Sequence, residues 1–404
     1  MARLESQLAE VLNRRRDIAK LRRLVVNPPD SIDFSSNDFL GLSQSPLMRM
    51  HLLEELRSLD YICGSTGSRL LDGNSRYAED LERQIAKFHG AESALLFNSG
   101  FDANSGLFST VPQKGDIVLY DELVHASVHE GMRASRAGRL VAFKHSDVHD
   151  LDRVLQSLRD TKQNVFIAVE TVYSMDGDIA PLPEIVKLLR KYWPNRENGY
   201  IIVDEAHATG VYGDHGRGIV SVFGLENEIF ARLHTFGKAL ASNGAVVLGS
   251  ETLRSYLINY ARPLIYSTFM SYSSLASIKC AYDILERGET KEIQEHLHSI
   301  TRRFRENIRL PIGTLLPSES PIQGIVLPGN APVRALANYL NKRGFIVKPI
   351  CSPTVPKGQE RVRICFHGHN TAEQIDALVA AVHDFFKVDA PAKTTLSVVE
   401  TAKL

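Results

Sequence analysis

The chain has 404 residues, 44% hydrophobic and 23% charged, which describes an ordinary globular protein of two domains or one large domain with a satellite. Lys plus Arg and Asp plus Glu both number 47, a balance that gives no basis for nucleic-acid or acidic-membrane binding. Cys63, Cys280, Cys351 and Cys365 lack metal-site spacing, so reduced thiols and no metal are expected, and no apolar run approaches the roughly 20 residues of a membrane span.

In chain order, Met1-Ala-Arg-Leu-Glu-Ser carries no secretory apolar region. Residues 4–24 predict an amphipathic basic helix that packs on the chain's own body. Leu4, Leu8, Leu12, Ile18 and Leu21 oppose Arg14, Arg15, Arg16, Arg22 and Arg23, and Asn27-Pro28-Pro29 ends it. Short apolar runs then alternate with helical stretches: Ala94–Phe97, Asp116–Tyr120, Val165–Val169, Tyr200–Val203 and Ala245–Leu248. Continuous Val/Ile/Leu strands between helices predict an α/β fold with a mostly parallel sheet covered on both faces. Ligands of such sheets gather beyond the carboxyl ends of the strands, where Asp204, Glu170 and Asp121 stand. Past residue 270 a long helical region (271–309) leads to strands at 322–327, 344–349 and 361–366. A capping box at Thr371-Ala-Glu-Gln374 then opens a last helix, together predicting a small α+β domain.

Two segments carry chemistry. Ile201-Ile-Val-Asp204-Glu-Ala-His207 runs from strand into carboxylate and histidine, and His234-Thr235-Phe-Gly-Lys238 sets a lysine among small residues. Pyridoxal 5'-phosphate (PLP) chemistry needs such a pair: an amine to form an imine, and a carboxylate to keep the pyridine nitrogen protonated. Ser99-Gly100-Phe101, at a strand-to-helix turn, offers backbone N–H groups to a phosphate.

Over residues 5–387 the chain resembles the α-oxoamine synthases, fold-type-I PLP enzymes that condense an amino acid with an acyl-CoA. The resemblance rests on Asp33-Phe-Ser-Ser-Asn37-Asp-Phe-Leu-Gly, Gly64-Ser-Thr-Gly-Ser-Arg69 and Asn98-Ser-Gly-Phe-Asp-Ala-Asn104. It continues in Asp121-Glu-Leu-Val-His125-Ala-Ser127, Glu170-Thr-Val-Tyr-Ser174-Met-Asp-Gly177, the Asp204/His207 and Lys238 segments, Ala261–Thr268 and Pro353–Arg363. It implies a mostly parallel seven-stranded sheet in a large PLP-binding domain (45–270). An N-terminal helix and arm (1–44) would pack with a small α+β domain (271–387), and a tail (388–404) would follow.

The resemblance also implies roles. Lys238 would hold the cofactor and act as base at the substrate's Cα. His125 and Ala206 would cover the two faces of the ring, Asp204 would pair with its nitrogen, and Ser174 and His207 would bond its phenolic oxygen. Ser99, Gly100, Phe101 and Thr235 would hold the phosphate, with Ser267 and Thr268 reaching it from the neighbouring subunit of a homodimer with shared active sites. Arg363, rather than Arg361, would bind the amino-acid carboxylate, with Asn37 beside it.

Pro353-Thr-Val-Pro356-Lys-Gly and Leu264-Ile-Tyr-Ser267-Thr268 resemble the branch that joins L-alanine to pimeloyl-CoA, giving 8-amino-7-oxononanoate for biotin. Arg22, among four other arginines, falls where that branch keeps a cation for the acyl chain's far carboxylate. The alternative is a sister synthase using glycine, serine or alanine with another acyl or polyketide thioester. Gly64-Ser-Thr-Gly, Tyr77 and Phe269-Met-Ser-Tyr272 depart from the family pattern and bear on acyl specificity. Ala402-Lys403-Leu404, after a polar stretch, is close to the peroxisomal Ser-Lys-Leu address. It implies an import receptor as partner and a peroxisomal location, otherwise a cytoplasmic one.

Overall fold

The computed structural model describes residues 2–18, 21–195 and 197–387. The first half runs α1 (Ala2–Asp17), β1 (Ile32–Asp33), α2 (Pro46–Ser58), α3 (Arg76–Phe88), β2 (Ser93–Phe97), α4 (Gly100–Thr110), β3 (Ile117–Asp121), α5 (Ala126–Ala134), β4 (Arg139–Phe143), α6 (Val148–Leu158), β5 (Val165–Glu170), α7 (Leu182–Tyr192) and β6 (Gly199–Asp204). The second continues with α8 (Ile219–Val222), β7 (Ala231–Thr235), β8 (Ala245–Gly249), α9 (Glu251–Tyr260), α10 (Arg262–Ile265), α11 (Tyr272–Glu286), α12 (Lys291–Asn307), β9 (Ile322–Val326), α13 (Asn330–Lys342), β10 (Phe345–Ile346), β11 (Lys348–Ile350), β12 (Arg361–Cys365) and α14 (Ala372–Phe386).

The main sheet has seven strands in the order β2-β8-β7-β6-β5-β3-β4, parallel except for β8, which runs antiparallel to both its neighbours. Successive side chains point to opposite faces, so Val118 joins one apolar cluster while Ile117 and Leu119 join the other. Helices cover both faces, as the apolar runs predict. Two strands escaped the sequence pattern. The solvent-exposed edge strand β4 has a weak apolar run, and β7 buries Arg232 and His234. Those two are accommodated by polar partners: Arg232 Nη1 donates to His89 O at 3.0 Å, and His234 Nδ1 lies 2.9 Å from Thr209 Oγ1.

Side chains fix the helix starts. Ser45, Ser75, Ser99, Ser250 and Ser271 each accept a backbone N–H of the following first turn, worth about 1 kcal/mol per cap. The predicted capping box at Thr371 and Gln374 forms with both its bonds. The predicted helical region 271–309 is instead two helices, broken where Gly288 takes the left-handed φ of 71° that glycine adopts without steric cost.

A three-stranded antiparallel sheet, β11-β12-β9, centres the small domain. The arm reaches it through β1, which pairs in parallel with β10, and Cys365 N donates to Phe34 O at 2.9 Å. This carries Asn37 to the edge of β12.

The N-terminal helix needs a correction. It ends at Asp17 and not at residue 24, and residues 21–31 are irregular apart from a turn, with β-branched Val25 and Val26 and the Pro28-Pro29 pair unfavourable to helix. Nor does it pack on the chain's own body: Leu4, Leu8, Val11 and Leu12 are about half exposed or more. No helix among the described residues is long and apolar enough to cross a membrane.

Candidate active site

Parallel strands β5 and β6 end in register, Glu170 opposite Asp204, and the loop after β7 brings Lys238 over them. Lys238 Nζ lies 2.8 Å from Nε2 of His207. Burial pulls the amine's pKa down to about 8, against the charges of Asp204 and Glu170. Burial, and then the neighbouring Lys238, holds His207 well below the usual imidazole range, so it stays neutral. Its buried Nδ1 has no hydrogen-bond partner among the described residues.

Asp204 is held by two donors: Ala206 N to Oδ1 at 2.9 Å and Asn104 Nδ2 to Oδ2 at 2.8 Å. Asn104 also donates to Ser127 Oγ at 3.0 Å, and that hydroxyl lies 2.7 Å from His125 Nδ1. One buried amide thereby ties the carboxylate to the histidine across α4 and the start of α5.

Ser99 caps α4, so the N–H groups of Gly100 and Phe101 stand in a first turn with no intrahelical acceptor. A Cβ on Gly100 would lie 3.4 Å from Thr235 Oγ1, so glycine keeps this cradle open beside the threonine hydroxyl. On the opposite side, Arg363 Nε donates to Ser174 O at 2.6 Å and its Nη2 to Asn37 Oδ1 at 2.9 Å. Arg361 is engaged elsewhere, with Asp176 Oδ1 at 2.5 Å.

The structure thus gathers Lys238, His207, Asp204, Ala206, His125, Ser99, Gly100, Phe101, Thr235, Ser174, Arg363 and Asn37 at the strand ends and the domain junction. It leaves two predictions apart. Arg22 is exposed and forms no hydrogen bond or ion pair among the described residues. Ser267 and Thr268 lie at the surface, where Thr268 O accepts from Asn98 Nδ2 at 2.7 Å. The three departures from the family pattern adjoin one another. Ser65 Oγ donates to Phe269 O at 2.8 Å, Tyr272 N to Cys63 O at 3.1 Å, and the Tyr77 and Tyr272 rings are 6.4 Å apart. Residues missed in the sequence are Asn104 and Ser127; both lie inside quoted motifs, one turn into α4 and at the start of α5.

An amine of depressed pKa, a fixed carboxylate, an orphaned imidazole nitrogen and a bare N–H cradle beside a hydroxyl match the parts of PLP. Comparison with known proteins agrees. The model of the family described as "aminotransferase class I and II" matches residues 29–382. An 8-amino-7-oxononanoate synthase of Emericella nidulans is 49% identical over 395 residues, covering 94% of this chain and 95% of its own. The chain belongs to the α-oxoamine synthases of the aminotransferase class I and II family. Another relative of this α-oxoamine synthase is an aminoacyl transferase, sphA, of Aspergillus fumigatus, 40% identical over 88% of this chain and 81% of its own. Among solved structures, a serine palmitoyltransferase from S. paucimobilis with bound PLP-myriocin aldimine superposes with TM-score 0.83 at 25% identity, covering 96% of this chain and 98% of that one.

Proposed function

We propose that this α-oxoamine synthase condenses L-alanine with pimeloyl-CoA, giving 8-amino-7-oxononanoate, CoA and CO2 in biotin biosynthesis. The observation that carries the reading is the 49% identity, over nearly the whole of both chains, to a protein of that activity. Bound PLP supplies an electron-accepting ring conjugated with the substrate nitrogen. The chain's residues do the rest. Gly100, Phe101, Ser99 and Thr235 would hold the phosphate, His125 and Ala206 would lie against the ring, and Asp204 would pair with the ring nitrogen. Ser174 and His207 would bond the phenolic oxygen. Arg363, steadied by Ser174 O and Asn37, takes the alanine carboxylate with the rest of its guanidinium fork. Lys238, neutral in a good fraction of molecules near pH 8, removes the Cα proton and later returns one to the same carbon.

The reading extends to a homodimer in which Ser267 and Thr268 reach the partner's phosphate site. Exposed Tyr61, Ile62, Leu70, Leu71 and Tyr266 around that segment, with the bare apolar residues of α1, support it. Arg22 would meet the far carboxylate of the pimeloyl chain in that assembly. The terminal Ala402-Lys403-Leu404, outside the described residues, would address the enzyme to peroxisomes through an import receptor. A second reading, another thioester or amino acid, is favoured by the 40% identity to the aminoacyl transferase. Arg22→Ala separates the two: it raises KM for pimeloyl-CoA if that is the substrate and leaves turnover of an alkyl thioester intact.

A further inference from the structure

Beyond the site lies a brace that the roles above do not use. Asp121, at the end of β3 and buried, accepts from Leu123 N at 2.9 Å and Ser146 N at 2.8 Å, and its Oδ1 lies 2.9 Å from His145 Nδ1. The other nitrogen of the same ring, Nε2, is 3.0 Å from Asp178 Oδ2, which also accepts from Ser146 Oγ at 3.1 Å. The ring stands edge-on to Tyr173, with centroids 4.4 Å apart. Burial disfavours the imidazolium, but the hydrogen bond and charge of Asp121 together with Asp178 outweigh it and push the pKa up to about 10.

Asp178 closes the turn that carries Ser174. Tyr173 N donates to Asp178 O at 3.1 Å and Gly177 N to Tyr173 O at 2.8 Å. A side chain at Gly177 is impossible, since a Cβ would come within 2.1 Å of Ile322 O of the small domain. The small domain grips this turn from its side through Arg363 on Ser174 O and Arg361 on Asp176. The turn is therefore held by Arg363 and Arg361 from one side and by His145 from the other.

We propose that His145 is a positioning residue, whose paired contacts with Asp121 and Asp178 hold the 173–178 turn so that Ser174 faces the cofactor and Arg363 the amino-acid carboxylate. This rests on the function proposed above. A displaced turn takes Ser174 O from Arg363 Nε and lets the guanidinium drift, so amino-acid and cofactor binding weaken while acyl-CoA binding does not.

The test uses the full-length PLP-loaded enzyme and its His145→Gln variant, with Asp178→Asn as the milder lesion that decides if the first does not fold. KM for L-alanine and for pimeloyl-CoA is measured, together with the dissociation constant of PLP by equilibrium dialysis. Expected are a roughly 10-fold rise in KM for L-alanine and a clear rise in the PLP constant, with KM for pimeloyl-CoA within about twofold. A lower melting temperature with the L-alanine KM and PLP constant of the wild type would overturn the proposal and leave His145 a purely structural ion pair. Wild type that binds PLP but does not turn over these substrates would sink the proposed function instead, and the PLP constants alone would then decide for His145.

Discussion

Glu170 and Asp204 end neighbouring parallel strands in register, so two buried carboxyl groups meet beneath the Lys238 amine. Burial, and then the charge of Asp204, raises the pKa of Glu170 well above the usual carboxylate range, which favours its protonated form. Asp204, by contrast, accepts hydrogen bonds from Ala206 N and Asn104 Nδ2.

That relationship predicts opposite outcomes for two substitutions. Glu170→Gln, close in shape to the protonated acid, keeps kcat/KM within a few fold. Glu170→Ala removes this buried carboxyl group and costs about 1–3 kcal/mol of stability. Steady-state kinetics and thermal unfolding of the pair check this; a Gln variant as damaged as the Ala variant would show that the negative charge is needed.

Lys238 predicts the pH dependence of cofactor capture. Only the neutral amine is a nucleophile, so the rate at which apo-protein takes up PLP rises with pH through a midpoint near 8 rather than 10.5. The negative charge of Asp204 raises this pKa, so Asp204→Asn moves the midpoint down. Stopped-flow absorbance across pH 6–10 reads both.

Arg363→Ala removes the charged donor fork proposed to take the amino-acid carboxylate. Losing it costs about 2–3 kcal/mol, so KM for L-alanine rises on the order of 100-fold while KM for the acyl-CoA is little changed. Arg361→Ala, which breaks the Asp176 contact, has the smaller kinetic effect.

His145 predicts a stability slope. Its folded pKa of about 10 lies above the ordinary 6.5, so the native state binds the extra proton between those values. The stabilisation is complete below pH 6.5 and is lost as pH rises through about 10. Asp121, Asp178, Asp176 and Tyr173 face the ring from the adjoining elements. Melting temperatures of wild type and His145→Gln therefore converge as pH rises across that window.

The cluster around Lys238 is legible because its signals are local. An apolar strand running into Asp204, the Gly100 turn after β2 and the small residues around Lys238 each state their geometry within a few positions. The obscured parts depend on partners distant in sequence. β7 hides as a strand because Arg232 and His234 are satisfied by His89 and Thr209, which no window of sequence contains. His145 reads as a polar loop residue until Asp121 and Asp178 close on it. The apolar periodicity at 4–24 runs on towards the prolines, but periodicity alone does not place the end at Asp17, and an apolar stripe does not state which surface covers it.

Decarboxylative condensation at Lys238 can be followed with carboxyl-labelled L-alanine. With PLP-loaded enzyme, labelled CO2 and free CoA should appear together in equal amounts when pimeloyl-CoA is added, and neither should appear with Lys238→Ala. Pimeloyl-CoA left intact, while palmitoyl-CoA or another thioester releases CoA with alanine, glycine or serine, would rule out condensation with pimeloyl-CoA.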